Sequence, residues 1–130
     1  MIIHLDFESK TPIYTQLTDR IIAGIAKQEI VPGERLPSVR SLAADIGINL
    51  HTVNKAYKEL EQKGFILNHR QKGVVVNPDG VPKADVSFQK EMKEILHPLI
   101  AEAICRDVNK KDFMELCEEI FTSYVHKEES

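Results

Sequence analysis

Between Ser38 and Lys72 the chain gathers side chains whose hydrogen-bonding groups suit flat polar edges and anions. Asn49 and Asn54 can each meet an adenine edge with two hydrogen bonds, and His51 can donate to a base acceptor or a phosphate. Leu50, set among them, can lie against a thymine methyl, while Thr52 can hold a phosphate. Arg40 follows Ser38 in the first turn of a predicted helix, where its charge opposes the helix dipole, so a phosphate or a guanine would compensate it. Arg70, Gln71 and Lys72 occupy a hairpin tip, from which arginine can enter a narrow minor groove or pair with phosphate. Lys55, one turn further along than His51, suits the sugar-phosphate backbone. The chemistry implied is recognition of double-stranded DNA. Plainer roles exist for several of these residues. Ser38 and Asn49 are good helix caps, Thr52 shares that ambiguity, Lys55 and Lys58 suit a solvated face, and His69 fits either a strand surface or a DNA contact.

The elements that must hold these groups follow from spacing. Ser38 opens a short helix whose apolar face is Val39, Leu42, Ala43 and Ile46, and Gly47 supplies a left-handed turn residue. Asn49 opens a second helix with Val53, Ala56, Tyr57 and Leu60 on one face, ended by Gly64. Two such helices separated by a few residues form a helix-turn-helix. FILNH and GVVVN flank the turn RQK as two strands, which adds a wing. Ahead of this, IIHL at residues 2 to 5 reads as a short strand or extended arm. Thr11 and Pro12 read as an N-cap and first-turn proline for a helix over about 12 to 28, striped by Ile13, Leu17, Ile21 and Ile25.

After the wing the composition changes. Residues 77 to 85 hold two prolines, a glycine and two aspartates and read as a linker. From Ser87 the positions Phe88, Met92, Ile95, Leu96, Leu99 and Ala103 predict an amphipathic helix, bent or left with an open hydrogen bond by Pro98. Asn109 or Asp107 can cap a last helix bearing Phe113, Leu116, Cys117, Ile120, Phe121 and Tyr124 on one face. The expected class is therefore mainly α with a small β-wing. It comprises an N-terminal winged helix-turn-helix over residues 1 to 76, a linker over 77 to 85 and a short two-helix dimerisation tail over 86 to 130.

Charge supports this division. Net charge is only -3, yet residues 49 to 76 hold 5 Lys/Arg against 2 Asp/Glu, whereas residues 77 to 130 hold 7 against 12. The basic surplus lies with the motif, and the acidic tail points to protein contact. With 130 residues divided between two parts, each core is small, so association with a second copy is expected. No apolar run reaches the roughly 18 residues of a membrane span and no leader pattern opens the chain, which favours a cytoplasmic protein with no membrane partner. Cys105 and Cys117 read as core thiols of a reducing compartment.

Catalytic groupings are missing from the pattern. His4, His51, His69, His97 and His126 are scattered, and neither HExxH, a cysteine-histidine cluster, GxGxxG nor GxxxxGK occurs. Glu115, Glu118, Glu119, Glu128 and Glu129 read as the solvated side of a helix. Neither an enzyme nor a bound metal or cofactor is expected. The alternative class is a winged-helix module that binds protein without reading DNA, against which HTVNKAYK and HRQK argue through their exposed cations and amides.

PIYTQL at 12 to 17, PGERLPSVRSLA at 32 to 43, HTVNKAYKELEQKGFI at 51 to 66 and RQKGVVV at 70 to 76 together resemble the GntR family of bacterial transcriptional regulators. The opening IIHLDFESKTPIYTQL and the short two-helix tail look most like its YtrA subgroup. The resemblance implies a homodimer that binds an inverted-repeat operator, with one recognition helix per half-site. It implies DNA contacts at Arg40, at Asn49 to Asn54 and at the wing tip Arg70 to Lys72. It also implies repression of an operon encoding an ABC transporter. Many relatives carry arginine where this chain has Leu50 and Asn54, so its operator is its own. A tail of this length is too short to enclose a small-molecule pocket. Any effector would have to use the dimer interface or the cleft between the two parts.

Overall fold

The computed structural model describes residues 3 to 124 as five helices and a two-stranded hairpin, a mainly helical fold with a small β-wing. The start of the expected arm at Ile2, together with His126, Glu128 and Glu129, lies outside the described residues. Chain contacts divide the protein into two units, Met1–Pro82 and Lys83–Ser130.

In the first unit, helix α1 spans Ile13–Ala26, with Leu17 and Ile21 fully buried as the stripe predicts. Its start differs from expectation by one residue. Pro12, not Thr11, is the N-cap and provides no side-chain cap. Gln16 instead holds the segment ahead of the helix: its Oε1 accepts from the Asp6 backbone N–H at 2.8 Å, and its Nε2 donates to the carbonyls of Asp6 and Thr11 at 2.9 Å each. The arm is thereby held to α1 by a buried amide, and its described residues form no strand.

Helix α2 (Val39–Ile46) and helix α3 (Leu50–Gln62) form the helix-turn-helix. Gly47, at φ +77°, takes the left-handed conformation that ends α2 and allows the chain to turn sharply into α3. Each helix begins at its expected cap. Ser38 Oγ accepts from the Ser41 N–H at 3.1 Å, and Asn49 Oδ1 accepts from the His51 N–H at 2.7 Å. Val53, Ala56, Tyr57 and Leu60 of α3 are all buried, and α3 packs on both α1 and α2. Burying a large apolar side chain contributes about 1.5–3 kcal/mol, so this face anchors the helix.

Strands β1 (Ile66–His69) and β2 (Gly73–Val76) pair antiparallel, with Ile66 opposite Val76 and His69 opposite Gly73. Unforeseen from the sequence is a third extended segment. The Leu36 N–H donates to the Val74 carbonyl and the Val76 N–H to the Glu34 carbonyl, each at 2.8 Å, with Arg35 bridged to Val75. The loop ahead of α2 is thus fastened along the wing. Beyond β2, Asn77 Nδ2 donates to the Gly64 carbonyl at 3.0 Å, so the opening of the expected linker belongs to the first unit, which runs on to Pro82.

The second unit holds α4 (Val86–Cys105), capped by Asp85, and α5 (Lys110–Ser123), capped by Asn109. Asp107, the other candidate cap, instead takes a left-handed turn at φ +64°. Pro98 lies within α4 and offers no N–H to the carbonyl four residues earlier. Neither helix buries a residue in the single chain. The cysteines are accordingly not core thiols: Cys105 is exposed and Cys117 only partly covered. Among the described residues no helix is long and apolar enough to cross a membrane.

Candidate nucleic-acid interface

The N-termini of α2 and α3 border one open concavity of about 380 Å³, lined by Ser38, Val39, Arg40, Leu50, His51 and Asn54. Five of these six were singled out from the sequence for DNA contact, although the two helices supply them from separate stretches of chain. Both helices have the positive ends of their dipoles at these N-termini, where a side chain caps one N–H of each, an environment that favours anions. Arg40 and His51 are exposed, Leu50 is 38% exposed despite being apolar, and Asn54 is half-buried. Arg40 has no ion pair among the described residues.

The remaining candidates are placed differently. Asn49 is exposed and its Oδ1 serves as the cap of α3, which leaves its NH2 group as the free donor end. Thr52 is half-buried. Lys55 Nζ lies 3.9 Å from the centroid of the Tyr14 ring, a cation–π contact that anchors its ammonium to α1. Of the other cations in this stretch, Lys63 pairs with Glu59 at 3.5 Å, whereas Arg70 and Lys72 have no ion pair among the described residues. Arg70, Gln71 and Lys72 stand exposed at the wing tip, apart from the concavity. His69, unassigned by sequence, lies at the base of that turn, where its Nδ1 is within 3.4 Å of the Gln71 and Lys72 N–H groups.

Sequence reasoning missed one residue that ties α3 to the start of α2. The Tyr57 hydroxyl donates to the Pro37 carbonyl at 2.8 Å, joining the middle of α3 to the residue before the Ser38 cap. Burial pushes this phenol up to about 12, so it remains a proton donor through the neutral range. Tyr57 had been read only as an apolar-face residue. Its hydroxyl was the signal, because a buried phenol requires a partner.

The family model described as bacterial regulatory proteins of the gntR family matches residues 13–76. The HTH-type transcriptional repressor YtrA of Bacillus subtilis (strain 168) is 36% identical over 118 residues, which span 91% of this chain and 91% of that protein. This chain belongs to the GntR family. Within the GntR family it is of the YtrA subfamily. YtrA from Sulfolobus acidocaldarius, a GntR-family transcription factor, is 37% identical over 93% of this chain and 97% of that one, with a TM-score of 0.56. The structure of a transcriptional antiterminator from Listeria monocytogenes EGD-e is similar at a TM-score of 0.89, covering 97% of this chain and 94% of that one at 26% identity. GntR proteins of the YtrA type are DNA-binding transcriptional regulators, a non-enzymatic class, and this chain is one of them.

Proposed function

We propose that the protein is a homodimeric repressor that reads an inverted-repeat operator, one half-site per protomer, and controls an operon encoding an ABC transporter. The first unit, with its winged helix-turn-helix over residues 1 to 76, is the DNA-binding part, and the helices α4 and α5 of the second unit are the dimerisation tail. The observation that carries the reading is the concavity where Ser38 and Arg40 meet Leu50, His51 and Asn54 at two helix N-termini. A major groove admits one helix, and its N-terminal side chains reach base edges. Leu50, His51 and Asn54 thus read bases, joined by the free amide of Asn49, while Thr52 and Ser38 border the backbone. Arg40, Lys55 and the wing residues Arg70, Gln71 and Lys72 fix the register through phosphates.

Dimerisation is supported by the tail's unburied apolar surface. In α4, Phe88, Met92, Ile95, Leu96 and Leu99 are each at least 40% exposed. In α5, Leu116 and Ile120 exceed 50% and Phe121 reaches 77%. Ala103, Phe113 and Tyr124 are only partly covered. Apolar stripes of this extent are covered when two copies pack their helix pairs across a two-fold axis. Such a dimer presents two α3 helices to successive half-sites of DNA.

Selection of bound duplexes from a randomised pool, with the mass of the complex measured by light scattering, tests the reading. An enriched inverted repeat carrying two chains is the expected result. Enrichment of no sequence, or a complex with one chain, would overturn it.

A further inference from the structure

The segment that leads into α2 carries a cation to which the sequence pattern assigns no role. Arg35 is bridged to Val75, and strand alternation puts Arg35, Val75 and Gly73 on one face of the wing. A Cβ built on Gly73 would lie 3.5 Å from both Nε and Nη2 of Arg35, so the guanidinium rests against the glycine, next in sequence to Lys72 of the tip. Arg35 is exposed, and its side chain has no hydrogen bond or ion pair among the described residues. The adjacent Glu34 carboxylate makes no ion pair with it among the described residues, and its Oε1 accepts from the Val31 N–H at 3.0 Å. Backbone pairing fixes where Arg35 leaves the chain, and an exposed guanidinium with unpaired N–H groups at that place can take an anion from outside the chain.

We infer that Arg35 is a third phosphate-binding cation of the wing, acting with Arg70 and Lys72. Its ligand is the sugar-phosphate backbone of duplex DNA. The assignment rests on the DNA-reading function proposed above. The competing role is structural: the aliphatic stem of Arg35 shields Val75, which is 9% exposed.

The two roles separate in a salt titration of the full chain on a labelled duplex of random sequence. Each phosphate neutralised contributes about 0.9 to the slope of log affinity against log salt. Arg35→Gln, which keeps most of the stem, is expected to reduce the slope by about that amount on random and selected duplexes alike. Arg35→Lys is expected to recover it. An unchanged slope in Arg35→Gln, with or without a lower melting temperature, overturns the assignment and leaves shielding of Val75 as the role. If Arg40→Ala weakens binding while Arg35→Gln keeps its slope, the interface stands and only this inference falls. If the unsubstituted protein binds neither duplex, both fall.

Discussion

Tyr57→Phe isolates the link between the two helices of the interface. Tyr57 is 4% exposed, and phenylalanine fills the same space, so the substitution opens no large cavity. What is lost is the 2.8 Å bond to the Pro37 carbonyl. A neutral hydrogen bond contributes about 1 kcal/mol net, and a carbonyl left unsatisfied in a buried place costs about 1–3 kcal/mol. Pro37 is only half-buried and water can partly replace the phenol, so the lower part of that range applies, about 1–2 kcal/mol. In a unit of this size each kcal/mol lowers the melting temperature by about 4–8 °C. The same variant should bind a selected operator more weakly than the native chain does, because Pro37 precedes the cap that orients Arg40. Thermal melts followed by circular dichroism give a second signature. The phenol is raised from 10.0 to about 12 by desolvation, so the folded state favours its neutral form. That stabilisation is complete below pH 10 and is lost as pH rises through 12. The native protein should therefore lose more stability than Tyr57→Phe across that interval. Equal melting temperatures near neutral pH, or parallel losses above pH 10, would refute the reasoning.

Leu60→Ala empties a fully buried site on α3 and should destabilise the first unit by about 2–5 kcal/mol in urea denaturation, with a variant of native stability contradicting the packing described. Gly64→Ala combines a left-handed backbone at φ +84° with a Cβ that would lie 2.7 Å from Pro82 Cδ, so a loss of about 1–3 kcal/mol is expected in the same assay. Leu99→Glu with Phe121→Glu places charges on apolar surface that is 54% and 77% exposed in the single chain. Light scattering should then report monomers, while melting of the first unit is retained; a persisting dimer would show that the tail faces are not the interface. Arg40→Ala should weaken binding to all duplexes alike, whereas His51→Ala and Asn54→Ala should alter preference among operators, as shown by competition between selected and random DNA. Equal loss on both DNAs for all three variants would refute that division of roles.

Several features were legible because they are local. Ser38 and Asn49 read as caps, Gly47 as a left-handed turn, and the spacing of Val53, Ala56, Tyr57 and Leu60 as the inner face of α3, since each depends on neighbours within one or two turns of helix. The wing was legible for the same reason, from two short apolar runs around RQK. So was the apolar stripe of each tail helix, although Cys105 and Cys117, read as core thiols for want of any paired motif, are left open in the single chain.

Sequence by itself determined which side chains capable of reading DNA exist and which helix or hairpin carries each of them. Tertiary structure decided which of them share a surface. It brought Arg40 beside His51 and Asn54 and tied Lys55 to Tyr14. It also joined Tyr57 to Pro37 across 20 residues and laid Arg35 against the wing. The physical reason is that a cap or an apolar stripe is satisfied within its own element. A buried phenol, a buried amide such as Gln16 or an extended segment such as 34 to 36 must find its partner elsewhere in the chain, and only packing determines which backbone group comes within reach.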